Sequence, residues 1–330
     1  MPRPEKRIEA LVAEAGYRHD EPIVVGLQHR NNAPTFHAQG LTARRDTLSA
    51  TTPVYAASLS KQMTAACVAL LVQENALDLE SALSHWLPEL PSWADDLRLR
   101  QLLQHTAALP ADRDIDAVMA GDANRTSESI IQALTRFPAL PGRPGRNYAY
   151  SNAGYVCLAA AAARAAGQPI PDFARDRLFA PLSMSDTLFW AGPAPAPPGA
   201  APLTPEHPAP LSLGDGGVWT TARDLLRWSQ ALNTDELGIS ALMHAPGRLN
   251  DGTPIDYAWG IGIRSHAGHR VYRHGGGWPG LRAMQARLPN LGWSIVFLAI
   301  ADDTERRTAL LDLLLDEVVT EGDRPESYRP

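Results

Sequence analysis

The stretch Val54-Tyr-Ala-Ala-Ser58-Leu-Ser60-Lys61-Gln-Met-Thr-Ala-Ala-Cys67-Val-Ala-Leu-Leu-Val-Gln-Glu74 decides how the chain is read. Two β-formers, Val54 and Tyr55, lead into a serine. A helix-forming run follows, with no charge between Lys61 and Glu74. A helix that is apolar on almost every face is buried, so this one is expected at the centre of a domain. Ser58 stands where the helix starts, and Lys61 lies one turn on, on the same face. A hydroxyl and an amine are then held together at the positive end of a helix, where a developing anion is favoured. Of the 30 lysines and arginines only Lys6 and Lys61 are lysines. Arginine keeps its proton in a protein, whereas a desolvated lysine can release it and act as a base. The bland alternative is an N-cap serine with a lysine reaching the surface. This stretch by itself does not choose between them.

Outward from that helix, the N-terminal side reads as an amphipathic helix over 4–17. Two strands follow, over 22–29 and 34–40, joined by an Asn31-Asn32 turn. On the C-terminal side the pattern is helical and broken by prolines. Short helices are expected near 97–105 and 127–136, a long alanine-rich one over 153–166 stopped by Gly167, and another over 171–179. The Pro/Ala-rich segment 192–210 reads as a semi-rigid surface loop, a passive connection rather than a lid. A helix over 221–232 follows the turn Gly214-Asp215-Gly216-Gly217. From 257 the pattern is β: strands over 257–264, 269–274, 281–288 and 293–300 form an antiparallel meander. A helix over 303–319 has a leucine face to cover the sheet. The fold class is therefore α+β, an α/β sandwich. One antiparallel sheet is flanked by helices and built from both chain ends (1–75 and 212–330), and 76–211 is an inserted, mainly helical domain. A pocket is expected between the two.

Two further stretches bear chemistry. In Tyr150-Ser151-Asn152, at the start of the alanine-rich helix, a tyrosine beside an amine can accept a proton, and an asparagine can both donate and accept. A turn tyrosine with Asn152 as a helix cap is the plainer reading. In His274-Gly275-Gly276-Gly277-Trp278-Pro279-Gly280, where a strand is expected to end, glycines allow backbone to approach a ligand, and a strand-edge N–H can complete an oxyanion hole. The plainer reading there is a flexible turn.

Taken in order, Ser58-x-x-Lys61, Tyr150-x-Asn152 and His274-x-Gly276 resemble the S-x-x-K, Y-x-N and [KH]-x-G motifs of the serine β-lactamase-like superfamily, in its class C branch. That branch holds class C β-lactamases, D-alanyl-D-alanine carboxypeptidases, D-aminopeptidases and family VIII esterases. Leu102-Leu-Gln-His105-Thr106-Ala-Ala-Leu-Pro110 is similar to the branch's L-L-x-H-T-S-G-L-P. Pro144-Gly145 leading to Tyr150-Ser-Asn-Ala-Gly-Tyr155 resembles its P-G…Y-S-N-x-G-Y. The resemblance spans residues 20–318 and implies the β-lactamase/transpeptidase-like fold and an acyl-enzyme mechanism. Ser58 Oγ would attack a carbonyl, while Lys61 and Tyr150 would share the general-base role. The N–H groups of Ser58 and Gly277 would hold the oxyanion, with Gly276 beside them. Asn152 would hold a substrate amide or ester, and His274 would line the pocket opposite Lys61. Histidine stands at 274 where β-lactamases carry lysine, and Gly275 stands in place of threonine or serine. That variant fits an esterase-like hydrolase of carboxylic esters or small amides better than a β-lactamase or D-amino-acid peptidase, which is the alternative. If the charge of His274 matters, an activity limb near neutral pH is expected. Trp219, Trp259 and Trp278, with Tyr257, would make an apolar acyl pocket.

Other function classes fit less well. Net charge is −6, with no long basic run, so a nucleic-acid partner is not expected. No run reaches membrane-spanning length and the start lacks an apolar signal core, so a cytoplasmic protein acting on a small molecule is expected. Cys67 and Cys157 sit in apolar helical patterns as buried thiols. Gly275-x-Gly277-x-x-Gly280 matches a dinucleotide fingerprint, but Pro279 and the β pattern after it spoil the required strand–turn–helix context. No carboxylate or cysteine stands at ligand spacing from His266, His269 and His274, so neither metal nor cofactor is expected. A non-catalytic binding protein on the same fold is the remaining alternative.

Overall fold

A computed structural model describes residues 4–120, 125–204 and 206–322. Its strands are β1 (Ile23–His29), β2 (Thr35–Gln39), β3 (Val54–Tyr55), β4 (Leu188–Phe189), β5 (Val218–Thr220), β6 (Gly262–His266), β7 (His269–Trp278), β8 (Leu281–Leu288) and β9 (Trp293–Ala299). Its helices are α1 (Pro4–Glu14), α2 (Ser60–Gln73), α3 (Leu83–Trp86), α4 (Leu99–Leu103), α5 (Asp112–Val118), α6 (Ser127–Leu134), α7 (Asn152–Ala166), α8 (Ile170–Ala174), α9 (Ala222–Thr234), α10 (Ser240–His244) and α11 (Thr304–Gly322).

Six strands make one antiparallel sheet in the order β2-β1-β9-β8-β7-β6, so both chain ends meet at β1 and β9, where Val25 pairs with Phe297. The alternation of side chains along these strands supplies two cores. On one face Val25, Ala286, Ile295 and Phe297 pack against Ile8, Leu11 and Val12 of α1 and Leu310, Leu314 and Val318 of α11. On the other face Val24, Ala283, Val296 and Leu298 join the larger core that contains α2, α7 and α9. The sandwich, the meander and the two-ended sheet are as the sequence implies.

Every residue of α2 from Ser60 to Leu71 is buried, which is the burial its uncharged sequence calls for. Its polar side chains reach partners inside the protein. Gln62 Nε2 donates to Gln285 Oε1 (2.6 Å), and Thr64 Oγ1 donates to the Gly214 carbonyl (3.0 Å). The alanines of α7 let that helix lie close against α2. Gly167, at φ +65°, ends α7 where a side chain would be strained.

Four sequence expectations change. The strand expected over 257–264 begins only at Gly262, because Gly260 (φ +69°) turns the chain just before it. The strand expected to stop at His274 continues to Trp278, so the glycines lie inside β7 and the turn is Pro279-Gly280. The fingerprint-like glycines are thus strand–turn–strand. The segment 192–210 is not merely a surface loop: Ala200, Ala201 and Ala209 are buried, and the Ala201 N–H donates to the Pro53 carbonyl at 2.8 Å. Finally, a three-stranded sheet in the order β3-β5-β4 carries the approach to Ser58. Strands of two or three residues leave no period to read, so β4 and β5 were not legible. Among the described residues no helix is long and apolar enough to cross a membrane.

Candidate active site

Ser58 lies in a single 3-10 turn, Ala57–Leu59, that opens into α2. Ala57 holds φ +47°, the left-handed region that a residue with a Cβ adopts at a cost. Three contacts, from two neighbours, hold the turn in place. The Ala56 N–H donates to the Val218 carbonyl (2.8 Å), and Ser60 Oγ accepts from the Val218 N–H (3.1 Å). On the other side β7 presses in: a Cβ on Gly276 would stand 2.4 Å from the Ala56 carbonyl oxygen. Glycine at 276 is therefore what allows the strand to pass the serine.

Lys61 is completely buried. Its amine donates to Ser58 Oγ (3.1 Å), Asn152 Oδ1 (2.7 Å) and the Asp215 carbonyl (3.0 Å). It also stands 4.9 Å from the centre of the Tyr150 ring and 5.7 Å from that of Tyr155. Among the described residues no carboxylate pairs with it, so neutral oxygens and ring faces surround the amine. The surface-lysine alternative is excluded. The Asp215 carbonyl was missed from the sequence, where Gly214-Asp215-Gly216-Gly217 reads as a plain turn. Its signal was the density of glycine: Gly214 (φ +110°) passes so close to α7 that a Cβ would stand 2.2 Å from the Tyr155 carbonyl.

The Tyr150-Ser151-Asn152 loop is held from behind by the 105–112 segment. His105 Nδ1 accepts from the Ser151 N–H (3.1 Å), and its carbonyl accepts from the Ala149 N–H (2.7 Å). The other ring nitrogen, Nε2, therefore carries the proton and is buried without a hydrogen-bond partner among the described residues. Burial, with the charge of Lys61, pushes the His105 pKa well down, so this ring is neutral. Asp112 accepts from the Asn152 N–H (3.2 Å) and from its Nδ2 (2.7 Å). Ser151, rather than Asn152, caps α7, accepting from the Gly154 N–H. Tyr150 is 42% exposed, and its ring lies 4.3 Å from that of His105. What Tyr150 presents to Lys61 is its ring face; no hydrogen bond joins its hydroxyl to Lys61 or Ser58.

The third element is the upper half of β7. Strand β6 begins opposite Arg273, so His274 to Trp278 pair only with β8 and leave one edge unpaired among the described residues. Gly276 is buried there and Gly277 is exposed. His274 is buried; its Nδ1 donates to the Gly275 carbonyl (2.8 Å), and its Nε2 then accepts from the Tyr257 hydroxyl (3.1 Å). Burial first, and the Lys61 charge second, push its pKa down to about 3. His274 is thus neutral at neutral pH, which removes the physical basis for a neutral activity limb. The tryptophans separate. Trp219 and Trp259 are core residues, 1% and 4% exposed, with Trp219 packed on Tyr55. Only Trp278 is half-buried, its indole donating to the His207 carbonyl at 3.0 Å.

A family model described as Beta-lactamase matches residues 9–319, nearly the whole described chain. The chain belongs to the β-lactamase family. It is 30% identical to penicillin-binding protein 4* of Bacillus subtilis (strain 168) over a gapped alignment of 297 positions that covers 77% of this chain and 62% of that one. It is 25% identical to a D-aminopeptidase of Cereibacter sphaeroides (strain KD131), covering 86% of this chain and 58% of the relative. These relatives are longer, and the chain spans about three fifths of each. A solved D-amino acid amidase from Ochrobactrum anthropi SV3 superposes with TM-score 0.78 at 20% identity, covering 96% of this chain and 99% of that one; the likeness shows the fold.

This family member carries a cationic cluster beside the third element. A cavity of about 230 Å³ is lined by Tyr148, Tyr257, His274 and Gly275 together with Arg264, Arg273 and Arg307. Among the described residues none of these arginines has a carboxylate within ion-pair distance. Arg307 Nε is buried without a partner among the described residues, and its Nη1 would lie 3.0 Å from a Cβ on Gly275. Burial, with the neighbouring positive charges, lowers the pKa of Arg273 and of Arg307. A larger cavity of about 980 Å³ opens at the far end of β7, around His244 and Tyr272, and is lined by none of Ser58, Lys61 and Tyr150.

Proposed function

We propose that this chain is a serine hydrolase of the class C type, working through an acyl-enzyme, and that it cleaves a small amide made by a D-amino acid residue. The observation that carries the reading is the fully buried Lys61, surrounded by neutral acceptors, with its amine 3.1 Å from Ser58 Oγ. Ser58 Oγ attacks the substrate carbonyl and its proton passes to Lys61 or Tyr150. The N–H groups of Ser58 and Gly277 hold the oxyanion, Gly277 lying on the unpaired edge of β7. Collapse of the tetrahedral adduct breaks the C–N bond, and the stored proton leaves with the amine. Water then attacks the Ser58 ester and restores the hydroxyl. We place the site between the sheet domain (1–75 and 212–330) and the inserted domain (76–211).

Esters led the expectation from the sequence. The D-aminopeptidase and penicillin-binding protein among the relatives shift the weight to amides of D-residues. Arg264, Arg273 and Arg307 support a substrate that carries a carboxylate. Esters remain the second reading because His274 is neutral and offers no charge of its own. The test has two parts. A fluorophosphonate should label Ser58, and absence of label overturns the hydrolase. D-alanyl p-nitroanilide should then give a higher kcat/KM than its L-isomer, p-nitrophenyl butyrate or nitrocefin. Turnover of the ester alone replaces the amide reading with the ester one.

A further inference from the structure

We propose that Asp112 is the positioning residue of the Ser58–Lys61 pair, acting at one remove through Asn152; the proposal rests on the acyl-enzyme reading above. Asp112 opens α5, just after the segment that carries His105. It is half-buried and its two oxygens divide the donors of Asn152 between them. Oδ1 accepts the backbone N–H (3.2 Å) and Oδ2 accepts the side-chain Nδ2 (2.7 Å). The Asn152 amide is then fixed in one orientation, with Oδ1 toward Lys61 at 2.7 Å. The flipped amide would set its N–H groups against the amine, donor against donor. It would leave Lys61 with two acceptors instead of three.

A carboxylate suits this position because it accepts at both oxygens. An amide at 112 has one acceptor, and its own N–H groups would oppose one of the two Asn152 donors. The side chain is not spent on its own helix, since each of its oxygens accepts from Asn152. Asp114 shares that first turn and faces Arg113 instead. The carboxylate therefore has a directed contact, and what it directs is the group that holds the lysine on the serine.

The experiment uses the full chain with Asp112→Asn and Asp112→Glu, each alone and combined with Asn152→Ala. Three quantities are measured: the rate of fluorophosphonate labelling at Ser58, and kcat and KM on D-alanyl p-nitroanilide and its N-acetyl form. Misplacing a reacting group by about 1 Å costs on the order of 100-fold. Asp112→Asn should accordingly slow labelling by about 10- to 100-fold and lower kcat on both substrates, with KM nearly unchanged. Asp112→Glu, which keeps the carboxylate, should recover part of the rate. In the Asn152→Ala background either change should add less than about two-fold, since the route through Asn152 is already gone. Equal slowing in both backgrounds overturns the proposal. So does labelling by Asp112→Asn at the wild-type rate, or a KM rise confined to the free-amine substrate, which would make the carboxylate a substrate grip. If Asp112→Asn does not fold, the Asp112→Glu pair decides by the same criterion. Wild-type protein that takes no label refutes the acyl-enzyme reading itself; labelled wild type with unaffected variants refutes this inference alone.

Discussion

Replacing His274 with glutamine tests the electrostatics of the site through the stability of the whole fold. The imidazole is buried, its Nδ1 proton is used by the Gly275 carbonyl, and its Nε2 accepts from Tyr257. Its pKa falls from the ordinary 6.5 to about 3. Above pH 6.5 the ring is neutral whether the chain is folded or not, and the contribution of the group to stability is fully present. Below pH 6.5 the unfolded chain takes up a proton that the fold refuses until about pH 3, so stability is lost as pH falls. At 1.36 kcal/mol per pH unit, the loss is about 2 kcal/mol by pH 5 and roughly 4 kcal/mol by pH 3. The assay is urea unfolding, followed by tryptophan fluorescence at pH 7.5 and pH 5.0, for wild type and His274→Gln. His105 and His244 are also held neutral by burial, but they contribute to both proteins. Wild type should therefore lose about 2 kcal/mol more than the variant between the two pH values. Equal losses would refute the buried neutral imidazole. The same reasoning fixes the kinetics: the kcat/KM profile of His274→Gln should keep the wild-type shape from pH 5 to 8. A limb near pH 6.5 that vanishes in the variant would show that His274 does carry charge in the working site.

Three further outcomes are expected. Lys61→Met should slow labelling of Ser58 by about 10²- to 10⁴-fold, the usual range for loss of a positioned base; a loss under tenfold would point to a different base. Gly276→Ala forces a Cβ to within 2.4 Å of the Ala56 carbonyl oxygen, where backbone must move. It should cost about 1–3 kcal/mol of stability, read as a fall in Tm, and slow acylation as well; an unchanged Tm and rate would show that β7 does not brace the serine. Arg307→Gln should raise KM for a D-alanyl-D-alanine peptide but not for its C-terminal amide, and equal effects on both would detach the arginines from substrate recognition.

Much of the architecture was legible because burial writes itself into pattern. The uncharged run after Lys61 identified the central helix, and the alternating segments from 269 onward gave the meander. The elements of the candidate site were legible for a different reason: rare residue choices stood out against a strong background, such as one lysine deep in an arginine-rich chain. What escaped was whatever depended on contacts rather than on type. Asp112 and Asp114 are alike in sequence, and only the fold shows that one of them meets Asn152. The Asp215 carbonyl had no signal of its own, since any residue has one; only the glycines around it marked the place. His274 was read as facing Lys61, but its charge state follows from burial, which spacing does not reveal. The tryptophans show the converse error. Aromatic side chains were assigned to a pocket by chemistry, and two of the three were needed in the core.

The second layer explains how a loop can be accurate enough for catalysis. Tyr150, Ser151 and Asn152 precede and open a helix, in a region that three prolines keep irregular, so regular structure alone does not fix them. His105 holds the Ser151 N–H and Asp112 holds Asn152, and both come from one segment of eight residues. That segment is tied back to the same loop: the Gly145 N–H donates to the Thr106 carbonyl and the Ala149 N–H donates to that of His105. Contacts that lock successive residues from a common support share one fate, so loosening the support displaces all of them together. The arrangement also keeps the Asp112 carboxylate on the far side of the Asn152 amide from the amine. By standing one amide away, Asp112 can orient the acceptor of Lys61 without becoming its partner, and the lysine is left facing the serine with only neutral oxygens around it.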